Sequence, residues 1–250
     1  MSGAIYMGAS GAVVQQLRLE ILANNLANLG TSGFKRDLAV FSAAAPEAQT
    51  ARSPGAPASG DPRFPLPVLP FGQSVDFSQG ALETTDRPLD VALDGDGFFA
   101  VQTPGGVEYT RQGSFSLDAE SRLVTSEGFP VLGESGPITI DGDRVTITGE
   151  GDILVDDNEA GQLRIVDFSK PYRLKRTEGT RFVPESANAA AERPEAVNVV
   201  QGAVEVSNTD AITAMTQMIE VNRLFESYQK VIQTTGEMDQ KAARELGRIE

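Results

Sequence analysis

Histidine, cysteine and tryptophan are absent from all 250 residues. Without His or Cys the chain can build no Ser-His-Asp triad, no Cys nucleophile, no disulfide and no zinc site of the usual ligand set. Positive charge is scarce as well. Lys and Arg number 21 against 35 Asp and Glu, a net charge of −14. That sign argues against nucleic acid, whose phosphates need a basic face, and against docking on anionic lipid. Its plain reading is solubility and colloidal repulsion. No run of about 18 apolar residues occurs, so no segment is expected to insert in a membrane. The opening MSGAIYMGASGAVVQQLRLE has neither a basic n-region nor a long apolar core, and is not read as a cleavable secretory signal.

Apolar residues at helical spacing come first: Ile5, Ala9, Ala12, Val13, Leu17, Ile21, Leu22, Leu26 and Leu29 predict a helix over about 3–29. Ser2 is the expected N-cap and Gly30 the expected C′ residue. Gly8 and Gly11 each cost up to about 1 kcal/mol inside a helix, but leave room for a second helix to approach closely. Near the end of this helix stands ANNLANLGTSGFKR, with Asn24, Asn25 and Asn28 in a setting where Asn is a mediocre helix former. Residues 43–74 hold seven prolines and no helical period, so they are expected to be extended or irregular. Phe64, Leu66, Val68, Leu69 and Phe71 favour a packed segment over a free tether.

From about 75 to 200 short Val/Phe/Tyr/Thr-rich runs alternate with Gly-containing turns every eight to twelve residues. PGG at 104–106 separates FFAVQ from VEYTR, and SEG at 126–128 separates RLVT from FPVL, both hairpin signals. ITI and VTI flank Asp141-Gly142-Asp143. A compact antiparallel β-domain is expected.

The chain then returns to helix, from Asn208 to about Leu246. Ala211, Met218, Phe225 and Ile232 recur every seven residues, with Ala214, Val221, Tyr228, Thr235 and Ala242 three positions on. Glu226–Lys230 and Glu237–Lys241 are i,i+4 pairs in the favourable order. About 38 residues make a rod of roughly 57 Å, and the first helix reaches roughly 40 Å. The expected class is therefore α+β: long N- and C-terminal helices forming a coiled-coil-like helical domain, with an antiparallel β-domain inserted between them. The expected division is 1–36 for the first helix, 37–75 for the Pro-rich connection, 76–200 for the β-domain and 201–250 for the second helix. Neither helix can hide its apolar stripe in a β-domain of ordinary size. They must pair with each other, with copies of the protein, or both.

Catalytic and cofactor motifs fail one by one. Asp94-Gly95-Asp96-Gly97 starts like a calcium loop, but position five is Phe98 and position twelve is Gly105, so turn chemistry accounts for it. Gly149-Glu150-Gly151-Asp152 lacks the third glycine and the helix of a dinucleotide loop. Gly8-Ala9-Ser10-Gly11 lacks the spacing of a nucleophile elbow. No metal, cofactor or active site is expected.

Three segments carry a resemblance. GAIYMGASGAVVQQLRLEILANNLANLGTSGFKRDLAVF, with NNLAN at Asn24 to Asn28 and GFKR at Gly33 to Arg36, resembles the amino-terminal signature of the bacterial flagellar rod and hook axial proteins. PLDVALDGDGFFAVQTPGGVEYTRQGSFSLD, from Pro88 to Asp118, is similar to the shared rod–hook core motif. The final QGAVEVSNTDAITAMTQMIEVNRLFESYQKVIQTTGEMDQKAARELGRIE resembles the carboxy-terminal helix of that group, with Ser207-Asn208-Thr209 where the family usually has Ser-Asn-Val. The GAIY start, FESYQKVIQT and the lack of Trp are more similar to the proximal rod member than to the distal one.

The resemblance implies a structural subunit, not an enzyme. Such a subunit passes unfolded through the flagellar type III export apparatus. It polymerises with copies of itself and with the other proximal and distal rod proteins, in the basal-body rod that crosses the periplasm. The terminal helices line the tube and carry torque for motility. Residues expected to pack between subunits are Asn24, Asn25, Asn28, Gly33, Phe34, Met218, Val221, Phe225, Tyr228 and Ile232. The asparagine amides would fix register with adjoining subunits, as a buried Asn does in a coiled coil; the competing reading is a last helical turn capped by Asn. Two other classes stay open: a soluble β-domain binding module on a helical hairpin, and a carboxylate glycosidase needing a deep acidic cleft.

Overall fold

The computed structural model describes residues 3–41, 71–142, 144–186, 192–194 and 197–246. Helix α1 (Gly3–Ala27) and helix α2 (Ala211–Leu246) bracket a series of short strands in the sequence. Two compact units result. Among the described residues, one takes 3–26, 37–41, 71–74 and 210–246, and the other takes 27–36 and 75–209.

In the helical unit, α1 has 25 residues and α2 has 36, lengths of roughly 37 Å and 54 Å. Helix α2 opens on Asp210, whose Oδ1 accepts the Thr213 N–H at 2.6 Å, an N-cap for one of the helix's orphan donors. That bond holds the Asp210 carboxyl below its usual pKa. The helix begins at Ala211 and not near 201, because Val197–Gln201 pairs with Val91–Gly95 and Ala203–Glu205 with Leu82–Thr84. Asp37–Phe41 and Phe71–Val75 form a two-stranded sheet, so the last part of the Pro-rich stretch is a strand. Ser2, and Phe64 to Leu69 with the rest of 42–70, lie outside the described residues.

The other unit is built on a five-stranded antiparallel sheet in the order Ile165–Val166, Phe98–Thr103, Gly106–Thr110, Arg181–Pro184, Leu174–Arg176. Its second strand is buried on both faces. Phe99 and Val101 join one core with Val91, Leu93 and Ile153, while Phe98 and Ala100 join another with Phe168 and Phe182. A strand covered on both sides needs apolar residues at consecutive positions, and that is why the sequence reads FFAV without alternation. Aromatic edges lock the two layers: Phe99 meets Phe115 at 5.3 Å and Phe98 meets Phe77 at 5.7 Å, both T-shaped.

Turn glycines punctuate the unit as the sequence suggests. The Phe98–Thr103 hairpin closes over Pro104-Gly105 with Thr103 opposite Gly106, whose φ is 122°. Gly128, with φ 87°, turns the chain so that Val131 N–H reaches Leu123 O at 2.8 Å. ITI and VTI behave differently from each other. Ile138 O accepts from Leu123 N–H and Ile140 N–H donates to Ser121 O, whereas Val145–Ile147 pairs with Asp152–Val155.

Candidate functional site

In the helical unit the seam of α2 is visible in its burial. Ala211, Ala214, Met218, Val221, Phe225, Tyr228, Ile232, Thr235 and Gly236 are buried or half-buried, and every other described α2 side chain is exposed. Eight of these nine fall on the two heptad positions of the sequence pattern. Helix α1 meets the seam through its glycines. A Cβ on Gly11 would lie 2.4 Å from Tyr228 Cε1, and one on Gly8 would lie 3.0 Å from Ile232 Cγ1. The first distance leaves no room for any side chain, so the helical cost of Gly11 secures a flush ring contact. On α1, Ile21 is buried and Ile5, Leu17, Leu22 and Leu26 are half-buried, but Ala9 and Val13 of the predicted stripe are exposed.

The three asparagines take separate places. Asn24 is exposed. Asn25 is 4% exposed and serves its own chain: its Nδ2 donates to Asp37 O at 2.9 Å and its Oδ1 accepts Asp37 N–H at 2.8 Å. The amide therefore reads one backbone residue in both directions and stitches α1 to the strand Asp37–Phe41. Asn28 closes the turn after α1, where its O accepts Thr31 N–H and its Oδ1 accepts Thr31 Oγ1–H at 3.1 Å. The left-handed residue of that turn is Gly33, with φ 69°, and not Gly30. A Cβ on Gly33 would lie 2.2–2.5 Å from the Arg111 and Gln112 backbone, so no other residue fits. We expect Asn25→Leu to strand the Asp37 N–H and C=O in a dry site, costing about 1–3 kcal/mol. A fall in the urea concentration at which purified basal bodies release the variant would register it, and an unchanged concentration would contradict it.

In the β unit, Gly33, Phe34, Lys35 and Arg36 are clamped against residues 205–208. Gly33 N–H donates to Glu205 O at 2.7 Å. Lys35 Nζ and Glu205 Oε1 form an ion pair at 2.5 Å with both side chains 1% exposed, and Lys35 also donates to Ser78 O. Glu205 Oε2 faces Arg111 Nη1 at 3.3 Å, and Oε1 accepts Gly80 N–H at 2.8 Å. Arg111 donates on to Gly95 O and lies over the Phe98 ring at 5.4 Å. Burial holds the Lys35 ammonium below its ordinary pKa, with Glu205 pulling the other way. Asn208 completes the clamp: its Oδ1 accepts Arg36 N–H at 2.7 Å and its Nδ2 donates to Asp76 O at 2.8 Å. Phe34 is 2% exposed, with the Arg176 guanidinium 4.7 Å over its ring. The chain thus enters and leaves the β unit through one buried junction.

Among the described residues no group of three Asp or Glu gathers to hold a metal ion, and no helix is long and apolar enough to cross a membrane. Asp96 of the DGDG turn pairs with Lys170 at 2.6 Å. Arg181 is ringed by Glu108, Glu127 and Glu178 and lies over Phe129. These charges are committed to one another.

Of the ten sequence-predicted packing residues, Met218, Val221, Phe225, Tyr228 and Ile232 share the α2 seam, whereas Gly33 and Phe34 sit in the junction. Sequence reasoning missed Lys35, Arg111, Glu205 and Asn208. GFKR and SNT were legible as motifs, but nothing in one chain tells that Lys35 meets a carboxylate 170 positions away.

Three family models match in the order of the architecture. "Flagella basal body rod protein" covers residues 5–35, "Flagellar hook protein FlgE/F/G D1 domain" covers 92–155, and "Flagellar basal body rod FlgEFG protein C-terminal" covers 200–245. Among curated relatives, the flagellar basal-body rod protein FlgF of Caulobacter vibrioides is 34% identical over the full length of both chains. The flagellar basal-body rod protein FlgG of Buchnera aphidicola is 33% identical over 98% of this chain and all of its own. The flagellar hook-basal body complex protein FlhO of Bacillus subtilis is 32% identical over both full lengths. Helical ends, an antiparallel β unit and full-length likeness lead to one statement: this chain belongs to the flagellar basal-body rod protein family, structural proteins of the bacterial flagellum that localise to the basal-body rod.

Proposed function

We propose that this chain is an axial building block of the proximal rod, polymerised through its terminal helices, with α1 and α2 pairing as a coiled-coil-like domain and the β-domain inserted between them. The observation that carries the reading is the state of α2. Its heptad seam is only half-buried at Met218, Phe225, Tyr228 and Ile232, while Ile212, Met215, Ile219, Leu224, Val231 and Met238 stand exposed. Apolar surface of this extent on one helix is stabilised when neighbours cover it, at about 25 cal/mol per Å². Copies of this chain and the other rod proteins, proximal and distal, are the neighbours we assign.

Delivery follows from the same family. The chain passes unfolded through the flagellar type III export apparatus and assembles in the periplasm, where interdigitated helices carry torque. Its ends fold as they assemble, since a lone amphipathic helix is marginal in water. The proximal position is supported by the GAIY start, by FESYQKVIQT and by the lack of Trp. Gly33, Phe34, Asn25 and Asn28 hold the ordered turns and contacts around them within the chain, and Asn24, on the exposed side of α1, is assigned to packing between subunits.

Phe225→Asp tests the proposal. It places a carboxylate on the seam and should leave the β unit folded, as judged by its unfolding transition, while the variant drops out of purified basal bodies and cells lose motility. Normal incorporation would contradict the proposal.

A further inference from the structure

Outside its seam, α2 carries a second pattern. In its N-terminal half Ile212, Met215 and Ile219 are 78%, 51% and 55% exposed, and their spacings of three and four place them on one flank of the seam. Further along the helix Leu224, Val231 and Met238 are 46%, 48% and 65% exposed and recur every seven residues on the other flank. Each flank is polar where the opposite one is apolar. The first continues with Asn222, Glu226 and Gln233, and the second is preceded by Gln217 and Glu220.

We propose that these two half-stripes are the two sides of one head-to-tail contact between copies of this chain: the upper stripe of one α2 seats on the lower stripe of the next. This rests on the assembly reading above and adds to it which faces meet and at what offset. Same-face pairing about a two-fold axis needs one patch that complements itself, whereas two unlike patches on opposite flanks make a head-to-tail contact, which stays open as a helix when successive copies are displaced along the axis. In a tube of parallel helices, stripes at different heights meet only if neighbours are displaced along the axis. From Met215 to Val231, the centres of the two stripes, the displacement is 16 residues, about 24 Å. A second copy is the occupant because the two stripes match each other in size, in apolar character and in their polar continuations. Three side chains a side bury far less than the roughly 1,200 Å² of a stable two-body interface. The contact therefore holds in an array and not as a dimer in solution.

The absence of native cysteine makes the test direct. Cells carry an epitope-tagged chain with both Met215→Cys and Val231→Cys in place of the wild-type chain; basal bodies are isolated, oxidised and run on denaturing gels. The expected result is a ladder of tagged dimers, trimers and higher species, with monomer only from either single-Cys variant and from the back-face control Thr216→Cys with Lys230→Cys. Dimers from a single-Cys variant would show same-face pairing and overturn the proposal. So would a ladder from the control, or cross-linking only to a protein of different mass. Incorporation without a ladder overturns this contact alone. Absence of the tagged wild-type chain from basal bodies overturns the assembly reading with it.

Discussion

Glu205→Ala is expected to cost about 3–5 kcal/mol, because it leaves two buried cations without their carboxylate. Lys35 is 1% exposed and Arg111 4% exposed, so neither can turn to water without opening the junction. Arg111 keeps the Leu93 and Gly95 carbonyls and Lys35 keeps Ser78 O, and these bonds leave net positive charge in a dry site. The measurement is the urea midpoint followed by β-sheet circular dichroism on the full chain. A double variant, Lys35→Met with Glu205→Gln, should recover the share of the loss that comes from Lys35, since a buried pair replaced on both sides is often near neutral, while Arg111 still lacks its carboxylate. A loss below about 1 kcal/mol for Glu205→Ala would contradict the junction as described.

Gly11→Val should abolish assembly by a different route. The new side chain would enter the Tyr228 ring, whose Cε1, Cζ and Cδ1 all lie within 3 Å of the added Cβ position. Tyr228 must swing off the seam or α1 must lift from α2, and either change spoils the surface that neighbours read. Swimming motility should be lost although the β unit keeps its unfolding midpoint. Tyr228→Ala should weaken assembly by itself, and combining it with Gly11→Val should add little to the loss, since the ring the valine strikes is already gone. That non-additivity is the signature of a direct contact. Full motility of Gly11→Val alone would remove α1–α2 packing from the account.

What the sequence revealed followed from periodicity. The α2 seam was legible because a seven-residue repeat held from Ala211 to Thr235, and burial follows it position by position. The hairpin at Gly105-Gly106 was legible because a turn needing positive φ advertises itself with glycine. The partner of Asn25 was not legible, for a physical reason. A buried Asn on a helix can satisfy a neighbouring subunit or its own chain, and the strand that claims it, Asp37–Phe41, lies beyond a turn whose direction Gly33 sets. The end of the β unit was placed too early because Val197–Gln201 and Ala203–Glu205 are held by partners more than 100 positions upstream. Lys35–Glu205 was illegible for the same reason. Long-range ion pairs leave no local pattern, whereas helix faces and turns do.

The most direct test of the account is residue-resolved amide exchange on the isolated chain and on the assembled rod. The account predicts slow exchange throughout the β unit in both, with α1 and α2 exchanging fast in the isolated chain and slowly once assembled. Terminal helices fully protected in a solitary chain that does not polymerise would contradict it.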